Sequence, residues 1–295
     1  IFTEREHAPR RAIFVGETAR ARDTGWVRPP STPFDTAVAV ATSAGGVVLR
    51  AERRAAIESA ASWFLERHLG AHWFMPGPLG EHLPPRPRLA LPAHEEVVRP
   101  GFISRDLGVG GPWRTHSRLE ARFDHAHNLS NIFQADDLRR MPEMAPMRDG
   151  RRFLPAGNTT DYLQPDFNSA AAVLHAAAAA NGAFAADPSR VSFSLSENDT
   201  IRFDDSPATV AAVSPVRYFR QRPDYSDLVF RFTNEVAAIV GAAHPGRYLP
   251  AYAYYWTENT PRFPIARNVV PFLTADRSQW FEPEWAAEDR RLVER

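Results

Sequence analysis

Apolar positions in the first hundred residues fall into short runs and one helical stripe. Residues 12–16 (AIFVG) form a brief apolar run closed by glycine. Residues 36–42 and 47–50 flank Ser43, Ala44, Gly45 and Gly46, a pattern that predicts a hairpin. Between these runs Pro29, Pro30 and Pro33 mark a loop. From residue 53 to 69, Ile57, Ala60, Ala61, Phe64, Leu65 and Leu69 recur at helical spacing with Arg and Glu opposite, and Gly70 ends the run. The expectation is an amphipathic helix laid on a small sheet. Residues 76–92 carry too many prolines for a regular element and read as a long wrapping loop.

After Pro100 the pattern changes to short apolar strands separated by helical stretches. Strands are expected at residues 102–107, 129–133, 191–195, 248–255 and 269–274. Helices are expected at 166–181, where Ala gives high propensity, and at 226–243, where Leu228, Val229, Phe232, Val236, Ile239 and Val240 form one stripe. This alternation predicts an α/β fold: a small N-terminal α/β sandwich domain over residues 1–97, then a TIM-like (β/α) barrel over residues 98–295. A full barrel takes about 250 residues, and five strands are recognisable, so the barrel is expected to be incomplete, with apolar side chains exposed on its last strand. The chain starts at Ile1 without Met and stops within a charged run, which reads as a portion of a longer protein.

Composition narrows the chemistry. With 295 residues, 44% hydrophobic and 24% charged, the chain can bury a sizeable core. Its 35 basic and 35 acidic residues cancel, which supplies no global field for a nucleic-acid backbone. Every basic residue is Arg; without Lys, P-loop phosphate binding, Schiff-base chemistry and the protein-kinase lysine are excluded. Without Cys, thiol nucleophiles, disulfides, iron–sulfur clusters and thiolate zinc sites go too. No stretch reaches the roughly 18 to 20 apolar residues of a membrane span, since the Ala-rich run after residue 169 is interrupted by His175. No cofactor is expected.

The strongest acidic cluster, Glu197-Asn198-Asp199, directly follows the expected strand 191–195. Glycoside cleavage needs one carboxyl group to protonate the leaving oxygen and a second group to attack, or to orient an acetamido nucleophile. The same residues would also suit an Asx-turn or a helix N-cap. Glu258 follows the aromatic strand that ends in Tyr254, Tyr255 and Trp256. Aromatic rings beside a carboxylate fit a sugar, whose CH faces stack while its hydroxyls take charged hydrogen bonds; a surface Glu beside core aromatics is the plainer alternative. Asp276 and Arg277 follow the strand 269–274, as a site pair or an internal ion pair. His125 and His127 form an HxH pair, but the Lys that usually accompanies it in metal-dependent amidohydrolases is absent, and no metal site is expected.

Several segments together resemble a known family. Gly45-Gly46-Val47-Val48-Leu49-Arg50, Trp63-Phe64-Leu65-Glu66-Arg67-His68-Leu69-Gly70 and His72-Trp73-Phe74-Met75-Pro76-Gly77 are similar to the α/β domain that precedes the catalytic barrel in bacterial α-glucuronidases and β-hexosaminidases. With His127-Asn128-Leu129, Asn198-Asp199 and residues 268–277, the chain most resembles the bacterial family catalogued as domain of unknown function 4838. Part of that family is classed as glycoside hydrolase family 163, endo-β-N-acetylglucosaminidases that cut complex N-glycans. The resemblance implies a glycoside hydrolase of N-acetylglucosamine-containing glycans, acting on an oligosaccharide or glycoprotein glycan and secreted or periplasmic. It implies Asp199 and Glu258 as leading catalytic carboxylates, with Glu197 in reserve. His127, Asn128, Asn198, Tyr255 and Trp256 would shape the sugar subsite, with Arg105, Asp276 and Arg277 as further substrate contacts. Two alternatives stand beside it: an exo-acting α-glucuronidase with Arg105 or Arg277 on the uronate, and a non-catalytic glycan-binding protein of the same fold.

Overall fold

The computed structural model describes residues 12–23, 37–85, 88–108, 110–274 and 277–294. The chain divides into two compact units, Ile1–Arg122 and Phe123–Arg295. The division falls after Arg122, where the sequence pattern places it at residue 97.

In the first unit, β1 (Ala12–Val15) and α1 (Ala19–Asp23) precede the hairpin β2 (Val38–Ser43) and β3 (Gly46–Ala51). α2 (Ile57–Phe64) continues through a wider helical turn over residues 65–69 and is stopped by Gly70 at φ 73°. Then come β4 (His72–Trp73), β5 (Glu81–His82), β6 (His94–Val98) and α3 (Pro112–His116). The sheet order is β1-β3-β2-β6, with β1 parallel to β3 and the other pairs antiparallel. The helix covers it as its stripe dictates: Ala60 and Phe64 meet Val38, Val40, Val47 and Leu49 in one apolar cluster. Gly46 is required here, because a Cβ on it would lie 2.1 Å from the Ala12 carbonyl oxygen of the neighbouring strand. The Pro-rich stretch does hold some regular structure, since β5 lies within it and pairs with β4 across residues 74–80, which include a single turn over Pro78–Gly80. Residues 102–107 are not a strand; only Arg105 bridges, to Glu120, while Phe102 and Leu107 stay exposed. Residues after β6 belong to this unit because Trp113 donates its indole N–H to the Trp73 carbonyl (2.8 Å) and Arg118 pairs with Glu66.

The second unit runs through α4 (Leu129–Ile132), α5 (Ala135–Arg140), the hairpin β7 (Met147–Arg148) and β8 (Arg151–Arg152), α6 (Ala170–Ala186) and α7 (Pro207–Val213). It continues with the hairpin β9 (Tyr218–Phe219) and β10 (Arg222–Pro223), then α8 (Ser226–Ala243), β11 (Leu249–Ala253), β12 (Val269–Leu273) and α9 (Pro283–Val293). The expected strand at 129–133 is instead the short helix α4, and the reason is legible: Leu129, Ile132 and Phe133 sit at i, i+3 and i+4, and all three are buried. Residues 191–196 make no continuous ladder. They run extended between two parallel bridges, Ser196 to His127 and Ser192 to Tyr248, with Phe193 and Leu195 donating to Tyr248 and Pro250 carbonyls. β11 and β12 pair in parallel, Leu249 opposite Val269. Four parallel segments, at 127–128, 191–196, 248–253 and 269–273, therefore lie side by side in chain order.

Helices α6 and α8 pack on each other through small and branched residues, Ala172, Ala176 and Ala180 with Val229, Phe232, Val236 and Val240, in the core that also takes Leu195, Leu249, Ala251 and Val269. Ser169 caps α6 by accepting from the Ala172 N–H. On the final strand of that row, Leu273 is partly exposed. No described helix is long and apolar enough to cross a membrane.

Candidate functional site

Parallel segments present their carboxyl ends on one rim, and three candidate carboxylates follow such ends. Glu197 and Asp199 come directly after residues 191–196, and Glu258 after β11 and the single turn over Tyr255–Thr257.

The Glu197 side of this rim is built by hydrogen bonds. His127 Nδ1 bonds the Glu197 carbonyl, and Asn128 Nδ2 donates to the Ser194 carbonyl at 2.8 Å. Asn198 is sealed: its Nδ2 donates to the Thr160 and Leu163 carbonyls (3.2 and 2.8 Å), its Oδ1 accepts from Ser130 N–H (2.9 Å), and its own N–H donates to Gln164 Oε1 (3.1 Å). Asn128 and Asn198, expected in the sugar subsite, thus spend their amides holding the loop in shape. That fixed loop buries Glu197 to 1% exposure and leaves Asp199 exposed.

Glu197 Oε1 accepts from the Thr257 hydroxyl at 2.6 Å, while Oε2 has no partner. Burial pushes this carboxyl up to about 7; the Thr257 bond opposes the rise and the nearby Asp199 charge adds to it. Tyr252 stacks edge-on to His127 at 4.8 Å, with Tyr254 at 5.9 Å from the same ring. Burial raises both phenols, with Glu197 charge adding at Tyr252 and Asp199 at Tyr254.

Glu258 sits in different company. It is 7% exposed, its Oε2 is unpartnered, and burial again raises its carboxyl to about 7, against the pull of Arg220 and Arg222. The two guanidiniums project from the β9–β10 hairpin, whose turn residues Arg220 and Gln221 have φ of 49° and 62°. Arg220 also bonds Glu288 and Asp289 of α9 (3.2 and 2.5 Å) and lies 3.6 Å over Trp285. Arg222 lies 4.2 Å over the Tyr255 ring, and its Nη1 is unpartnered, as is the indole N–H of Trp256. Tyr255 adopts φ 46°, a costly conformation for an aromatic residue, and it links the two groups, its ring 4.2 Å from Tyr254 and 5.7 Å from Trp256.

Glu197, Asp199, His127, Tyr252, Tyr254 and Thr257 are thus brought together, and Glu258 joins a second group through Tyr255. The charges acting on Glu258 are Arg220, Arg222 and Asp289, and those on Glu197 reduce to Asp199. Arg105 lies in the first unit with each nitrogen engaged, by the Arg118 carbonyl (3.0 Å), the Phe102 carbonyl (2.5 Å) and Glu120 (3.5 Å). Arg277 stacks 4.9 Å over Trp280, and Asp276 lies outside the described residues. Thr257, Arg220 and Arg222 escaped sequence reasoning; Thr257 could have been suspected from its place between Trp256 and Glu258. Among the described residues no three His, Asp or Glu side chains gather as a metal site.

A family model, described as "Domain of unknown function (DUF4838)", matches residues 75–284. No curated protein and no solved structure matches the chain.

Proposed function

We propose, from the premise that the chain belongs to the DUF4838 family, that it is a glycoside hydrolase acting on N-acetylglucosamine-containing glycans. One observation carries this reading: two glutamates at the carboxyl ends of parallel segments are buried, each keeps an unpartnered carboxyl oxygen, and each is raised to about 7. A general acid must hold its proton near neutral pH and release it to a leaving oxygen. In this scheme Glu258 is the general acid and exposed Asp199, beside the Tyr254 hydroxyl, orients the acetamido group of the sugar. Glu197 lies beneath Asp199 as a positioning residue, its charge state setting that of its neighbours. Tyr254, Tyr255 and Trp256 supply the aromatic faces that sugar CH groups stack on. The four parallel segments in chain order fit a partial TIM-like barrel, with the first unit as an accessory α/β domain.

A second reading, a glycan-binding protein without turnover, draws on the burial of Glu197 and Glu258, which leaves Asp199 as the accessible carboxylate. In the α-glucuronidase variant each nitrogen of Arg105 already has a protein partner, which leaves Arg277 as the better placed cation for a uronate. The test is glycan release from a complex-type glycoprotein, read by mass spectrometry, for wild type beside Asp199→Asn and Glu258→Gln. Release that both substitutions abolish supports the hydrolase. Glycan binding with no release supports the second reading.

A further inference from the structure

A cavity of about 760 Å³ has none of the three candidate carboxylates in its lining. It is lined by Arg148, Arg151, Arg152 and Arg202 around Phe153 and Leu163, with Asp149 as its acid. It is built on the β7–β8 hairpin, whose turn Asp149-Gly150 has φ of 52° and 75°, the primed geometry of a tight two-residue loop. That register sets Arg148 directly opposite Arg151, and like charges opposed across a ladder repel.

The acids nearby do not relieve the repulsion. Asp166 is taken by Arg152 at 2.8 Å and by the Asn168 N–H at 3.0 Å. Asp204 accepts from the Met147 N–H (2.5 Å), from the Thr209 hydroxyl (2.6 Å) and from Ser206. Asp205 accepts from the Asp149 N–H at 3.0 Å. Among the described residues Arg148, Arg151 and Arg202 form no ion pair: Arg148 donates to the Phe203 carbonyl (3.0 Å) and Arg202 lies 5.6 Å over Tyr162. Planar guanidiniums converging on one cavity match the fork geometry of a sulfate, phosphate or carboxylate. Phe153 and Tyr162, edge to face at 6.3 Å, add aromatic surface beside them.

We propose that this cavity is a binding site for an anionic saccharide, its charged group held by Arg148, Arg151 and Arg202 and its ring against Phe153. The saccharide part rests on the glycan reading of the candidate site; the oxyanion part does not. Gln164 ties the two regions together, since its N–H bonds the Arg202 carbonyl and its side chain donates to the Asn198 and Thr200 carbonyls. The cavity would therefore select glycans by charge beside the loop that carries Asp199.

Equilibrium calorimetry tests this without reference to turnover. The probes are a monosulfated chondroitin disaccharide, its unsulfated uronate counterpart, neutral diacetylchitobiose and inorganic sulfate. The expected result is binding of the charged disaccharides that weakens with added salt, and about tenfold weaker binding for Arg151→Ser or Arg202→Ser. Preference for the sulfated over the unsulfated disaccharide, or the reverse, assigns the charged group. Arg151→Lys should fall between wild type and Ser, keeping charge but losing the fork. Thermal melting confirms that each variant is folded. Charged disaccharides that bind no better than chitobiose, or folded variants that bind like wild type, would overturn the site. Inorganic sulfate binding as tightly as the disaccharide would overturn its saccharide part. Failure of glycan release with intact binding would count against the hydrolase and leave this site standing.

Discussion

Glu197 and Glu258 reach the same protonation behaviour by different routes. Among the described residues no cation acts on Glu197, and its ionised form is supported by the Thr257 hydroxyl and by a backbone N–H hydrogen bond. Around Glu258 two guanidiniums favour ionisation, yet burial still wins. The difference teaches which lever each site offers. At Glu197 the proton is held by desolvation almost alone, so any opening of the loop should release it. At Glu258 desolvation is balanced against charge, so a ligand that displaces or neutralises Arg222 would strengthen the hold on the proton. A general acid profits from the second arrangement, because substrate arrival can adjust it.

The largest expected effect separates the two by turnover. If Glu258 transfers the proton, Glu258→Gln should lower glycan release by about 10²- to 10⁴-fold, with Asp199→Asn comparably damaging. Glu197→Gln should cost far less, because Glu197 does not reach the sugar. Equal loss on Glu197→Gln and Glu258→Gln would refute this division of roles, and a larger loss on Glu197→Gln would reverse it.

Stability against pH sharpens the same contrast. A carboxyl whose folded pKa is raised from 4.5 to about 7 binds its proton more tightly when folded. Its contribution is therefore most favourable below the unfolded value, and is lost as pH rises from about 4.5 to about 7. For Glu197 this amounts to about 3 kcal/mol. Glu197→Gln should be more stable than wild type at pH above 7 by up to about that amount, with little difference in acid. Glu258→Gln should gain similarly, because its folded value of about 7 already includes the pull of Arg220 and Arg222. Urea unfolding across the pH range measures both. Salt separates them: screening the guanidiniums should raise the Glu258 midpoint, while the Glu197 midpoint, set mainly by burial, should move less.

The Asn198 clamp supports the Glu197 pocket directly and the arginine cavity only through Leu163 and Gln164, which makes it a means of damaging one region more than the other. Asn198→Ala removes three side-chain hydrogen bonds and leaves buried partners at Thr160, Leu163 and Ser130. Stability should fall by roughly 2 to 3 kcal/mol, and Asp199 chemistry with it. Anion binding at the β7–β8 cavity should change less. Denaturation midpoints and calorimetry on the same variant separate these outcomes.

How much of this was legible depends on range. The β2–β3 hairpin and α8 follow from local alternation, helical stripe and turn residues, and both were readable within a residue or two. The segment 129–133 is an apolar run too short to separate strand from helix by length, and only its i, i+3, i+4 spacing marks the helix it forms. The extended segment at 191–196 was visible, but its mixed bridging depends on partners more than fifty residues away in the chain. At the site, Glu197 and Asp199 were found by their place after a strand pattern. Which of them is buried is set by Asn198, Gln164 and Thr160, and no local signal announces that. The arginine cavity has a local signal: Asp-Gly flanked by Arg148, Arg151 and Arg152 is a tight-hairpin sequence that opposes like charges.

The smallest effect tests the side-chain support of the Glu197 carboxylate. Thr257 Oγ1 lies 2.6 Å from Glu197 Oε1 and also accepts the Tyr254 N–H at 3.1 Å. Its hydrogen bond to the carboxylate lowers the Glu197 pKa, opposing desolvation. Thr257→Val keeps the shape and removes the hydroxyl, so the Glu197 midpoint should rise above about 7, and the stranded Tyr254 N–H should cost about 1 to 2 kcal/mol. Thr257→Ser restores the hydroxyl and should recover both. The pH midpoint, read by carboxyl NMR titration, isolates the electrostatic part from packing, because a lost methyl in Thr257→Ser affects stability alone. Glu258, which depends on Arg220, Arg222 and the Tyr255 backbone N–H, should keep its midpoint in both variants. A Glu258 shift equal to that of Glu197 would show that the two carboxyls titrate as one coupled pair, and the separation between the two pockets would fail.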